Sequence, residues 1–96
     1  MEDEKIVDLF FARSEEGIAR TREKYGKFCG YIAKNILGDE LDAEECVNDA
    51  YLRLWNLIPP ARPEKLSAFL GKLVRGISID RMRKNPQINA ALRKRI

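Results

Sequence analysis

The sequence has 96 residues, of which 45% are hydrophobic and 34% are charged, with a formal net charge of +3 and no histidine. This composition is typical of one globular domain and excludes a disordered or fibrous chain. No apolar run approaches the roughly 20 residues of a membrane span, and the acidic start lacks the basic flank of a signal peptide, so we expect a cytoplasmic protein with no membrane partner.

Two helices are predicted before residue 38. Residues 3–13 repeat apolar side chains at helical spacing, and Ser14 is then predicted to cap a second helix with Glu15 and Glu16 in its first turn. This second helix has the strongest pattern in the chain and is predicted to stop at Gly38. Its apolar positions are Ile18, Thr21, Tyr25, Phe28, Cys29, Ile32 and Ile36.

The glycines of the second helix and the two cysteines of the chain are predicted to serve in packing. Gly26 and Gly30 lie four residues apart and predict a close approach of another helix. Cys29 and Cys46 are the two cysteines, and with no histidine they form no zinc ligand set. We expect both to be buried free thiols, and the alternative is a disulfide or a redox role.

The third helix is predicted to begin with Asp42 as N-cap and Glu45 completing a capping box. One side forms an apolar stripe predicted to face the core: Ala43, Cys46, Val47, Ala50, Tyr51, Leu54, Leu57 and Ile58. The opposite side carries Glu44, Glu45, Asn48, Asp49, Leu52, Arg53, Trp55 and Asn56. Because an isolated chain gains nothing from exposing Leu52 and Trp55, this side predicts a partner.

A proline-rich loop and a basic helix follow. The third helix should end before Pro59, and residues 59–65 contain three prolines that stiffen the loop. A fourth helix is predicted over residues 64–84, followed by a basic tail or linker over 85–96. The apolar face of this fourth helix contains Leu66, Phe69, Leu70, Leu73, Val74 and Ile77. The sequence therefore predicts an all-α bundle of about four helices, with one domain over residues 1–84.

The chain lacks the usual catalytic and cofactor-binding patterns, since it has no histidine, Gly-rich phosphate loop, metal-ligand cluster or nucleophile elbow. We therefore expect neither an enzyme nor a small-molecule substrate, and we expect no cofactor or metal.

Charge is unevenly divided along the chain. Residues 1–58 contain eight Lys or Arg against thirteen Asp or Glu, whereas residues 59–96 contain ten against two. A basic half suits phosphates and an acidic half suits a basic protein surface, so the division predicts two different partners. The cations of the loop, the fourth helix and the tail together are typical of nucleic-acid binding.

Two sequence runs resemble a known family. Residues 42–55 read DAEECVNDAYLRLW, similar to the pattern DAEDLVQExFLRLW of bacterial RNA polymerase sigma factors, particularly the small extracytoplasmic-function branch. Residues 69–84 read FLGKLVRGISIDRMRK, similar to that family's WLxxIARNxxIDxxRR. The resemblance covers residues 5–84 and concerns the family's second conserved region.

This resemblance implies that the first run binds core RNA polymerase at the clamp helices, a coiled coil of its largest subunit. The matched positions are Glu44, Glu45, Asn48, Asp49, Leu52 and Trp55. It also implies that the loop and the fourth helix read the non-template strand of the promoter minus-ten element, capturing a flipped base. The corresponding positions are Arg62, Lys65, Ser67, Lys72 and Arg75, and the basic end of the helix adds Arg83 and Lys84.

The sequence departs from the family at several positions. Gly71 and Gly76 stand where the family often has an aromatic residue and an asparagine, which lowers the base stacking expected of this helix. Nothing after Lys84 resembles the helix-turn-helix that reads the minus-thirty-five element, so we expect an isolated or shortened region. The alternatives are a helical protein-interaction module, for example one bound by an anti-sigma protein, and a general nucleic-acid-binding protein.

Overall fold

The computed structural model describes residues 1–84, which form four helices: α1 (Asp3–Phe11), α2 (Glu16–Leu37), α3 (Glu40–Leu57) and α4 (Leu66–Lys84). No strand occurs within this range, so the predicted all-α class is confirmed. No helix in residues 1–84 is long and apolar enough to span a membrane. The predicted basic tail, residues 85–96, lies outside the described residues, and the predicted domain boundary at residue 84 stays a prediction.

The turn between α2 and α3 is two residues long. Gly38 ends α2 in the left-handed conformation, with φ of 71°, and its N–H donates to the Lys34 carbonyl at 2.7 Å, which confirms the predicted stop. Asp39 is then the N-cap of α3, and its carboxylate accepts the Asp42 N–H at 3.0 Å. The predicted capping by Asp42 and Glu45 is therefore wrong, because a better-placed aspartate already caps the helix.

The turn between α1 and α2 also differs from the prediction. The N-cap position of α2 is Glu15, which makes no side-chain cap bond, whereas Ser14 contributes its carbonyl oxygen to the Gly17 N–H at 3.0 Å. Ser14 is thus one residue too early to cap α2. Arg13 in the same turn has a positive φ of 55°, which is uncommon for a residue other than glycine.

The core lies where α2, α3 and α4 meet in pairs, with α1 packed against α2. Its fully buried side chains include Phe10, Leu54, Leu70 and Val74. Leu57, predicted to face the core, is 40% exposed, whereas Ile58 of the same predicted stripe is fully buried. The predicted stripe of α3 is otherwise buried.

Both cysteines are free and fully buried, as predicted. Burial raises the pKa of Cys29 to about 11, and burial likewise raises the pKa of Cys46. Both thiols are therefore neutral near pH 7 and lack the thiolate form that metal binding and disulfide exchange require.

The helix directions follow from contacts along α4. Phe28 and Ile32 of α2 lie over Gly71, whereas Ile36 shares a groove with Arg75 and Ile79 further along α4. These two helices therefore run in the same direction. Residues near the end of α4 contact the first turns of α3, so α3 runs in the opposite direction.

Candidate interaction surfaces

The first candidate surface is the outer face of α3, which we define by the predicted partner residues Glu44, Glu45, Asn48, Asp49, Leu52 and Trp55. Five of the six side chains are exposed, and Leu52 is 59% exposed despite being apolar. Trp55 is different, because it is only partly exposed and packs against the core. Amphipathic packing of the stripe on the other side of α3 is what turns the five side chains outward.

Trp55 is held by the chain itself. Its ring lies 6.0 Å from the ring of Phe10 between centroids, at an interplanar angle of 55°. The Arg13 guanidinium covers the indole with its central carbon 3.7 Å from the ring centroid. The prediction that the isolated chain leaves Trp55 exposed is therefore wrong, because α1 and the α1–α2 turn pack against the end of α3.

Arg13 also caps the C-terminal end of α3. Its Nη1 donates to the carbonyl oxygens of Trp55 at 2.8 Å and Ile58 at 2.9 Å. Carbonyls at the end of a helix have no partner within the helix, and a cation there also interacts favourably with the helix dipole. Sequence analysis missed this residue, since an isolated arginine in a turn gives no signal of a bond 42 or 45 residues away.

A second long-range cation acts at the other end of α3. Arg81 of α4 donates to the carboxylates of Asp42 at 3.1 Å and Glu45 at 2.6 Å. The hydrogen bond to Glu45 is the main cause that raises the pKa of Arg81. One member of the outer face of α3 is therefore already paired inside the molecule, and the pair connects the first turns of α3 to the end of the basic helix.

A groove of about 450 Å³ runs between α2 and α3 beside the outer face. Glu44 and Asn48 form part of its wall, and Gly30 lies along it with no atom within 4 Å of an added Cβ. A Cβ at Gly26 would lie 3.8 Å from the hydroxyl oxygen of Tyr51. The close helix approach predicted for the two glycines is thus wrong at Gly30, where the missing side chain leaves open space.

Tyr51 lines this groove although its side chain is buried. Its hydroxyl has no hydrogen-bond partner among residues 1–84, and burial raises the pKa of Tyr51 to about 12. The guanidinium of Arg22 lies 5.2 Å from the centre of its ring. The phenol is therefore neutral near pH 7 and acts here as a packing residue.

The second candidate surface is the basic face, defined by the predicted DNA-binding residues Arg62, Lys65, Ser67, Lys72, Arg75, Arg83 and Lys84. Its lysines and arginines are all exposed, while Ser67 is half-buried. Within residues 1–84, none of the cations on the face except Arg62 takes part in a salt bridge. These cations are thus available to an anionic ligand.

Among the cations of the basic face, Arg62 alone is tied to another element within residues 1–84. Its Nη2 lies 3.2 Å from the Asp8 carboxylate, and its guanidinium lies 4.4 Å from the centre of the Phe11 ring. Both residues belong to α1. The predicted cation of the loop is therefore exposed but held on α1, and an anionic ligand must compete with Asp8 for it.

Gly71 on α4 marks a close contact with α2. A Cβ added at Gly71 would lie 3.3 Å from the Phe28 ring, and Phe28 is 43% exposed. Phe69 of α4 is partly buried against the core, so its predicted packing role is confirmed. The aromatic ring beside Gly71 is thus that of Phe28, which belongs to α2 and not to α4.

No group of three or more potential metal-ligating side chains occurs in the part of the chain that the structure describes. Searches of curated proteins and of solved structures found no significant match. A family model described as Sigma-70 region 2 matches residues 22–87, which include α3, the loop, α4 and most of α2.

Proposed function

Because this match covers more than half of its residues, the chain belongs to the sigma-70 region 2 family, and we propose that it binds core RNA polymerase through the outer face of α3. The family acts in transcription initiation, where region 2 takes part in core binding and in recognition of the promoter minus-ten element. It is not catalytic, and the polymerase carries out RNA synthesis. The proposed role places the chain with the polymerase in the cytoplasm.

The proposed polymerase contact is the clamp helices of the largest subunit. Supporting it, the outer face of α3 combines carboxylates with the exposed Leu52, a pairing suited to a partner surface with cations around an apolar spot. The adjoining groove gives a partner side chain room to enter beside Glu44 and Asn48. Trp55 supports the rim of this surface from behind, through its packing on Phe10 and Arg13.

We further propose that the loop and α4 hold the non-template strand of the minus-ten element. The observation that carries this proposal is the row of exposed cations on α4 without salt bridges in residues 1–84, since phosphate binding requires cations that are not already paired. If about four of them contact phosphates, log K for binding should fall with log salt at a slope of about −3 to −4. Held in this way, the separated strand cannot pair again with its complement.

The test measures binding of a labelled single-stranded minus-ten oligonucleotide to core polymerase in the presence of the full chain. Lys72→Gln and Arg75→Gln should each weaken binding. Each should also reduce the magnitude of the slope of log K against log salt by about 0.7, as expected for one lost contact with a single strand. Lys5→Gln is the matched control, because it removes an exposed cation from α1. Equal slopes for all three variants would contradict the DNA-binding role of the basic face.

One observation favours a second candidate, a sigma-like module that binds a protein such as an anti-sigma factor and does not read promoters. The loop cation Arg62 is already engaged by Asp8 and Phe11. This alternative predicts binding of a protein through the outer face of α3 with no binding of minus-ten DNA in the same assay. Binding without core polymerase and without sequence preference would instead indicate a general nucleic-acid-binding protein.

A further inference from the structure

A groove between α2 and α4 lies beside the basic face, and Arg75 alone of its lining residues is among the predicted DNA-binding positions. It has a volume of about 310 Å³, at the lower end of the range of small-ligand sites. Six residues line it: Tyr31, Ile32, Asn35, Ile36, Arg75 and Ile79. The groove thus joins an aromatic ring, an amide and a cation to an apolar base.

The groove combines an apolar base with an exposed aromatic ring and exposed polar side chains. Ile32, Ile36 and Ile79 are partly buried and form the apolar base, while the Tyr31 side chain beside them is 70% exposed. Asn35 and Arg75 are exposed, and Arg75 has no salt bridge within residues 1–84. Aromatic rings that stay exposed near unpaired cations are typical of single-stranded nucleic-acid sites.

Charge favours a nucleic acid over a protein as the occupant. The lining residues lie within residues 31–36 of α2 and 75–79 of α4, and the longer segments around them, residues 24–37 and 66–79, contain no aspartate or glutamate. The same segments contain five lysines or arginines, including Lys72 and Arg75. This local excess of positive charge matches a phosphate backbone.

Phe28 extends the aromatic surface toward the start of α4. It lies three residues before Tyr31 on α2, so both side chains lie on neighbouring positions of the helix surface. Phe28 occupies the space above Gly71 and meets Tyr25 edge-on at 6.2 Å between ring centroids. Two exposed aromatic side chains therefore lie along the edge of the basic face.

We propose that this groove binds an unpaired nucleobase of the separated promoter strand, stacked on Tyr31. Arg75 contacts the adjoining phosphate, and the Asn35 amide can both donate to and accept from the polar edge of the base. The proposal rests on the proposed function and adds a base-binding site on α2. It also replaces, from a neighbouring helix, the stacking that Gly71 cannot provide.

The test uses the full chain with core polymerase and a pool of single-stranded oligonucleotides that carry one 5-iododeoxyuridine. Irradiation should cross-link the base to Tyr31, identified by mass spectrometry of the cross-linked peptide. Tyr31→Ala should weaken oligonucleotide binding about fivefold or more, since a lost base stack has at least this effect. Tyr31→Phe should retain binding, because it keeps the ring.

Leu41→Ala is the control, because Leu41 is also strongly exposed but lies on α3 away from the groove. Circular dichroism of each variant checks that the fold is intact. Normal binding by Tyr31→Ala with cross-links only at other residues would overturn the base-binding site while leaving the proposed function standing. If Tyr31→Ala lost affinity for core polymerase while its DNA binding stayed unchanged, the base-binding site would be overturned and Tyr31 assigned to a protein contact. No oligonucleotide binding in any arm would overturn both proposals.

Discussion

The outer face of α3 and the basic face differ in how their functional side chains are held. On the outer face of α3, Trp55 is covered by Arg13 and Glu45 is paired with Arg81. On the basic face, Lys72 and Arg75 are exposed and have no salt bridge within residues 1–84. The first surface is therefore partly fixed before a partner arrives, whereas the second keeps its cations available.

This difference fits the two kinds of ligand. A protein partner gains most from a rigid, preorganised surface, because fewer side chains lose freedom on binding. A flexible single strand is bound by charge and stacking, which tolerate mobile lysines and arginines. The comparison predicts that substitutions of the internally held residues Trp55 and Glu45 change stability, whereas those of the exposed Leu52 and of the basic face change binding alone.

The largest expected effect is that of Trp55→Ala. The free energy of unfolding should fall by about 2 kcal/mol or more, because the substitution removes the contacts of the indole with Phe10 and Arg13. Urea denaturation of the full chain measures this change. Leu52→Ala is the matched control on the same face and should leave stability within about 0.5 kcal/mol while weakening polymerase binding. Equal stability of the two variants would show that Trp55 is not a structural support.

The next effect concerns Arg13. Arg13→Lys keeps the charge but loses the planar fork and the stack on Trp55, so the free energy of unfolding should fall by about 1 kcal/mol. Thermal denaturation followed by circular dichroism measures it. Arg53→Lys, on an exposed site of α3, should leave stability unchanged. If both variants match the natural chain, the capping role of Arg13 is wrong.

A smaller effect on stability is expected from the salt bridge between Glu45 of α3 and Arg81 of α4. Glu45→Gln and Arg81→Gln, alone and combined, should give a coupling energy of about 0.5 to 1 kcal/mol in unfolding, since the pair is partly exposed. The same variants should reveal whether polymerase binding competes with Arg81 for Glu45. A coupling energy of zero would mean that the pair adds nothing to the joining of the two helices.

Asp8→Asn tests Arg62, the cation of the basic face that forms a salt bridge within residues 1–84. Freeing Arg62 should raise the affinity for single-stranded DNA about twofold, because an exposed salt bridge contributes less than about 1 kcal/mol. Fluorescence anisotropy with labelled oligonucleotide and core polymerase measures the change. Glu2→Gln removes the same charge nearby without touching Arg62, and an equal gain in both variants would assign the effect to net charge alone.

The smallest effect is a pH dependence at α1. Burial by itself would raise the pKa of Asp3, but hydrogen bonds from Lys24 at 2.6 Å and Tyr25 at 2.7 Å hold its pKa below the usual 3.8. The unfolded chain therefore binds the proton more readily, so this stabilisation is present above pH 3.8 and is lost as the pH falls through the folded pKa. In urea denaturation from pH 6 to pH 3, the free energy of unfolding of Asp3→Asn should fall less steeply with decreasing pH than that of the natural chain. Identical pH profiles would contradict the contribution of Asp3.

Sequence periodicity predicted the helices and the buried stripe of α3 well, because both depend on the spacing of neighbouring residues. It failed at the start of α3, where Asp39 and Asp42 are both good caps and only the two-residue turn after α2 decides between them. It failed again at Trp55, whose burial depends on a turn more than 40 residues away. Pairs such as Arg81 with Glu45 and Arg62 with Asp8 join distant elements, and helical periodicity carries no information about them.

The contact between Phe28 and Gly71 has a consequence for how such chains can evolve. A side chain at position 71 would meet the Phe28 ring at 3.3 Å, so the two positions cannot both be large in this packing. Substitutions at one should be tolerated only after a compensating change at the other. Positions 28 and 71 should therefore covary among homologous sequences, with one large and one small residue. The aromatic ring of this surface would then belong to α2 in some homologues and to α4 in others.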